Sequence, residues 1–75
     1  MVTKENAYEV WQAGDWTWYV LKKYQSPENE AKNPYARWFC LVETPYVPNG
    51  EMGDTYIKDI MDTGAEKLAR EEEMI

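Results

Sequence analysis

Two apolar runs, D-W-T-W-Y-V-L-K-K-Y from Asp15 and Y-A-R-W-F-C-L-V-E-T-P-Y ending at Tyr46, flank a polar loop at 25–34. Both runs are rich in aromatic and β-branched residues, which suit a pleated surface, so the pattern predicts a β-hairpin over 15–46. Alternation puts Trp16, Trp18, Val20, Lys22 and Tyr24 on one face of the first strand and Thr17, Tyr19, Leu21 and Lys23 on the other. In the second strand Ala36, Trp38, Cys40, Val42 and Thr44 oppose Tyr35, Arg37, Phe39, Leu41 and Glu43. Neither face is polar along its length, and strands of that kind are usually covered on both sides. The long loop leaves the register open, and a slip of one residue would exchange the faces.

Outside the hairpin the pattern changes. Residues 1–14 read as an N-terminal helix starting from Thr3 as N-cap, with Ala7, Val10 and Trp11 at i, i+3 and i+4 and Gly14 as the residue that ends it. Such a helix would pack on the sheet or dock into a partner's groove. Within the loop, Ser26-Pro27 and Asn33-Pro34 favour turns, and 28–32 has the makings of one helical turn. Thr44-Pro45 ends the second strand, because proline cannot continue an interior ladder. Residues 54–61 are ambiguous: Tyr56, Ile57, Ile60 and Met61 have helical spacing, but the short unit between turn signals favours a third strand. Thr63 and Glu66 have the spacing of a capping box, which predicts an acidic C-terminal helix over 63–75 with a frayed last turn at Glu71-Glu72-Glu73. The expected fold is thus a single α+β domain over 1–75. Its order is α-β-β-β-α, with a three-stranded antiparallel sheet and two short helices on one face. The other sheet face would then be partly exposed or covered by another chain. The same element order occurs in double-stranded-RNA-binding domains, but the position of their lysine cluster holds Thr63-Gly64-Ala65-Glu66 here.

Size sharpens the packing problem. A chain of 75 residues buries only about 60% of its unfolded surface, so it has little stability to spare. One cysteine and no histidine exclude an internal disulfide and a closed zinc site, leaving the aromatic core and a partner subunit as supports. The opening residues carry no apolar run of the signal-peptide kind. The run at 38–42 falls far short of the roughly 20 residues of a membrane-spanning helix. With a free cysteine, the expected location is the cytoplasm.

Charge is divided unevenly. Residues 1–42 hold five acids and five bases, whereas 43–75 hold nine acids against three bases, so the whole net charge of −6 lies in the second part. An acidic surface of this kind either keeps the chain soluble or steers it toward a basic partner.

Chemistry is thinly represented. Without histidine, acid–base work would fall to carboxylates, lysine or tyrosine. Cys40 sits mid-strand, where a thiol is packing rather than a nucleophile. The pairs Asp59/Asp62 and Glu51/Asp54 are ordinary in an acidic chain, and Gly50-Glu51-Met52-Gly53 lacks the Lys-Ser/Thr of a phosphate loop. No catalytic, metal or cofactor residues are assigned. Aromatics interleaved with Lys22, Lys23 and Arg37 resemble the mixture used by single-strand nucleic-acid binders, but a sequence pI near 4.5 disfavours phosphate.

The strings A-G-D-W-T-W-Y-V-L-K-K-Y-Q (13–25), N-P-Y-A-R-W-F-C-L-V (33–42) and G-D-T-Y-I-K-D-I (53–60) resemble a group of small accessory proteins encoded by actinobacteriophages, mainly mycobacteriophages. The resemblance covers about residues 7–60 and carries over no activity. It implies a phage gene product at work in bacterial cytoplasm, where small acidic proteins often bind and inhibit host enzymes.

The expected function is a non-enzymatic protein-interaction module that occupies a host protein's basic surface. Trp16, Trp18, Tyr19, Trp38 and Phe39 are the expected core and contact anchors, since buried aromatics dominate interface energies. Glu51, Asp54, Asp59 and Asp62 are the expected steering charges. A homodimer joined through exposed sheet faces, and single-strand nucleic-acid binding through the Lys22/Lys23/Arg37 end, stay open beside it.

Overall fold

The computed structural model describes residues 4–68. A 3₁₀ turn at Lys4–Asn6 leads into β1 (Glu9–Ala13), β2 (Trp16–Lys23), α1 (Pro27–Lys32), β3 (Arg37–Thr44), β4 (Val47–Tyr56), α2 (Ile57–Asp62) and β5 (Glu66–Leu68). The strands form one antiparallel sheet in the order β4-β3-β2-β1-β5. The three-stranded α-β-β-β-α arrangement is therefore incorrect: the described residues are mostly β, with five strands and two six-residue helices.

Each departure has a local cause. The expected N-terminal helix is β1, because Glu9, Trp11 and Ala13 alternate toward the face that carries Trp18 and Val20. Gly14 has φ +57° and Asp15 a negative φ, the arrangement of a two-residue hairpin turn with glycine first. A helix end would ask for the same left-handed glycine, so Gly14 served both readings. The expected third strand splits: β4 reaches Tyr56, and α2 begins at Ile57, so the helical spacing of Ile57 and Ile60 outweighed the shortness of the unit. The expected capping box at Thr63 instead ends α2. The Thr63 hydroxyl donates to the Ile60 carbonyl at 2.6 Å, and Gly64 at φ +76° turns the chain back. Glu66–Leu68 then pairs with β1 as β5, and the rest of the expected C-terminal helix lies outside the described residues.

The 15–46 hairpin is present as β2 and β3, with two features beyond the sequence pattern. Leu21 is an extra residue in the ladder, since Val20 pairs with Cys40 and Lys22 with Phe39. This bulge moves Lys22 to the Phe39 face and turns Lys23 toward Trp38. At the far end the buried Thr44 accepts from the backbone N–H groups of Tyr46 and Val47, both at 3.1 Å, which closes the turn at Pro45. β4 follows at once, and its Pro48 is tolerated because β4 is an edge strand. Gly50 has φ +86° and lies so close to Leu41 that a Cβ would fall 2.6 Å from its Cδ1. In the loop, Ser26 caps α1 by accepting from the Asn29 N–H at 3.3 Å, with Pro27 in the first turn.

The core lies on one face of the sheet. Trp18, Val20, Trp38 and Cys40 form its floor, Ile60 of α2 closes it, and Trp11, Ala13, Val42, Ile57 and Ala65 pack at its margin. Trp11 stacks on Trp38 with centroids 6.3 Å apart. Lys23 lies 5.2 Å from the centroid of the Trp38 ring and 2.6 Å from the Glu9 carboxylate. That carboxylate also accepts from the Trp11 indole N–H at 3.0 Å. Burial alone would raise the Glu9 pKa, but the Lys23 and Trp11 hydrogen bonds and the Lys23 charge outweigh it and hold it below its ordinary 4.5. A carboxyl depressed in the folded state stabilises above its unfolded pKa, and this contribution fades as pH falls through the folded value. Glu9→Gln should therefore cost about 1 kcal/mol at pH 7, as expected of a half-buried ion pair, and progressively less as the pH is lowered below 4.5. Urea denaturation of both proteins across this pH range checks this.

Candidate functional site

The five expected aromatic anchors divide between the two faces of the sheet. Trp18 and Trp38 are core residues, 5% and 4% exposed. Tyr19 and Phe39 lie half-buried on the opposite face, beside Leu41 and Met52. Trp16 alone offers a large part of its ring to solvent on the core face, 44% exposed, tilted against Trp18 with centroids 5.8 Å apart.

Trp16 is where the core face opens. The six residues of α2 are too few to roof five strands, so Ile60 seals the middle and leaves a groove toward the β1–β2 turn. Its floor is Trp16, Trp18 and Val42, with Thr55 of β4 beside them and Asp59 and Thr63 of α2 along one side, around a cavity of about 530 Å³. A second depression of about 400 Å³ shares Trp16, Val42 and Thr55 and runs on to Tyr46, Val47 and Glu51. The two form one trough from α2 to the β3–β4 turn. Among the described residues its lining includes Glu51, Asp54 and Asp59 and no lysine or arginine.

The four expected steering acids differ in what they have left to offer. Asp54 accepts from the Tyr24 hydroxyl at 2.5 Å and lies 3.7 Å from Arg37, so its charge is engaged on the opposite face. The Asp54 bond raises the Tyr24 pKa. Asp62 is held at 2.9 Å by Lys58, one helical turn back, and this contact raises the lysine pKa. Glu51 and Asp59 are exposed and form no ion pair among the described residues. The structure thus brings Trp16, Trp18, Glu51 and Asp59 to one trough and leaves Tyr19 and Phe39 on the other face, while Asp54 edges the trough with its carboxylate held by Tyr24 and Arg37. No protein-family model matches the chain, and no curated protein or solved structure matches it.

Tyr46 and Val42 complete the trough and were not singled out in the sequence. Tyr46 is 87% exposed directly after Pro45, a turn position that held the only available signal. Cys40 is fully buried, and burial pushes its thiol pKa to about 11, which leaves it protonated and a poor nucleophile at neutral pH. Among the described residues no three His, Cys, Asp or Glu side chains gather as a metal site, and no helix is long and apolar enough to cross a membrane. What the trough can do chemically is accept a cation. The face of an indole and two carboxylates with no ion pair among the described residues both favour a guanidinium or ammonium group over any anion.

Proposed function

We propose that this chain is a small accessory protein of the phage type that works as a non-enzymatic interaction module. It engages a basic surface of a host protein, and the trough is where it does so. The observation that carries this reading is the exposed ring of Trp16 beside Glu51 and Asp59, in a trough that no base lines among the described residues. A lysine or arginine of the partner would lie against the indole, with its charge between the two carboxylates. The net charge of −6 would speed the encounter with a positive surface. The resemblance of 7–60 to actinobacteriophage proteins supplies the host context.

Calorimetric titration with an arginine- and lysine-rich peptide tests the reading. Binding should weaken as salt rises, fall at least tenfold in a Glu51→Lys/Asp59→Lys double variant, and persist in Lys22→Glu. Equal affinity for the wild type and the double variant would defeat it. Single-strand nucleic-acid binding keeps one observation in its favour: Lys22, Arg37, Phe39, Tyr24 and Tyr56 meet at one end of the opposite face. Arg37 is already paired with Asp54 there. An oligonucleotide shift assay at low salt should show no complex, and a salt-sensitive one would favour this second reading.

A further inference from the structure

The face of the sheet opposite the core has an order that runs across the strands. The ladder pairings align Met52, Leu41, Tyr19, Val10 and Leu68 in a single row spanning all five strands. Every member of that row is apolar or aromatic. One row to one side stand Asp54, Phe39 and Lys22, and Arg37, 3.7 Å from Asp54, follows a row further out. One row to the other side stand Glu43, Thr17, Gln12 and Glu66. An apolar stripe is thus bordered by Lys22 and the Arg37–Asp54 pair along one edge and by Glu43 and Glu66 along the other.

Neither α-helix covers it. Ile57 and Ile60 of α2 pack against the core side, and Glu30 of α1 accepts from the indole N–H of the core residue Trp38 at 2.7 Å. At the two ends of the stripe Met52 is 54% exposed and Leu68 37%, and Val10, Tyr19 and Leu41 between them are half-buried.

We infer that this face binds a second copy of the chain. Two sheets laid face to face sit about 10 Å apart, with their side chains interleaved. A two-fold axis between them, running along the stripe, keeps each strand over its own equivalent and reverses the order of the rows. The apolar row of one copy then lies on that of the other, and the Lys22 row of each lies over the Glu43 row of its partner, with Lys22 facing Thr17 of the second copy one strand away from that copy's Glu43. The pattern is self-complementary, as an isologous dimer interface must be. Rotation about an axis along the strands would instead set Lys22 against Lys22, so the charges select one arrangement of the two. The net charge of −6 opposes association, but this face carries little of it: Lys22 and Arg37 stand against Glu43, Asp54 and Glu66. The trough lies on the other side of the sheet and meets the stripe at Met52 of the edge strand β4, so a dimer would present two troughs outward.

Sedimentation equilibrium on the full chain tests this, with circular dichroism confirming that each variant is folded. The wild type should sediment at twice the monomer mass. Lys22→Glu and Glu43→Lys should each sediment as a monomer, because each brings like charges together on neighbouring strands across the axis. Mixed in equal amounts, the two variants should recover the dimer, since each restores the opposite charge across the axis. Met52→Glu, at an exposed position in the stripe, should also dissociate the dimer. A wild type that stays monomeric at hundreds of micromolar would overturn the inference. So would folded single variants that remain dimers, or a mixture that stays monomeric. A monomer whose exposed stripe instead bound an oligonucleotide would assign the face to nucleic acid.

Discussion

Trp38→Ala is expected to lower stability by about 3–5 kcal/mol, a loss comparable to the whole stability of a domain this small. Trp38 is 4% exposed and lies in the middle of the core face. Its ring stacks on Trp11 at 6.3 Å and carries Lys23 at 5.2 Å. Its indole N–H donates to Glu30 at 2.7 Å, which ties α1 to the sheet. Alanine would leave a cavity with few neighbours free to fill it, and would leave the Glu30 carboxylate without its donor. Urea denaturation followed by circular dichroism should show the variant largely unfolded, or folded with a midpoint well below that of the wild type. A loss below 1 kcal/mol would mean that Trp38 is not the centre of the core.

Ile60→Ala is the second large effect, at about 2–5 kcal/mol. Ile60 is 0% exposed and is the only fully buried side chain that α2 contributes. The N-terminus of α2 has no side-chain cap, and the helix is too short to persist unaided, so its place on the sheet depends on this contact. Asp59 adjoins Ile60 and lines the trough, so loosening α2 also displaces one of the two carboxylates that would hold a cation. The variant should therefore lose both stability and affinity for a basic peptide. Ile60→Val should keep most of both, since it removes one methylene group at a cost of about 1 kcal/mol. Denaturation and peptide titration of the three proteins decide between this and a purely local role for Ile60.

How far the fold could be read in advance depended on how much each signal excluded. The β2–β3 hairpin was legible because its aromatic and β-branched content runs unbroken on either side of Ser26-Pro27 and Asn33-Pro34. Its end at Thr44 was legible for the same kind of reason. Gly14 and Gly64 were not, because a left-handed glycine fits a helix end and a tight turn equally well. β5 was hidden because Glu66-Lys67-Leu68 has no strand pattern of its own, and its pairing with β1 comes from where α2 delivers the chain. The bulge at Leu21 left no mark in the alternation, so Lys22 and Lys23 were assigned to the wrong faces. The candidate residues fared likewise. Local pattern identified Trp16, Glu51 and Asp59 one at a time. That they share a trough, while Tyr19 and Phe39 share the opposite face, follows from the ladder register and the placement of α2.

The most direct measurement is a nuclear magnetic resonance titration with an arginine- and lysine-rich peptide, following the tryptophan indole N–H signals and the backbone amides together. The trough reading expects the Trp16 indole and the amides of Glu51, Thr55 and Asp59 to shift in step with the peptide, and those of Tyr19, Phe39 and Leu41 to stay in place. Shifts confined to Tyr19, Phe39 and Leu41, with Trp16 unmoved, would contradict it.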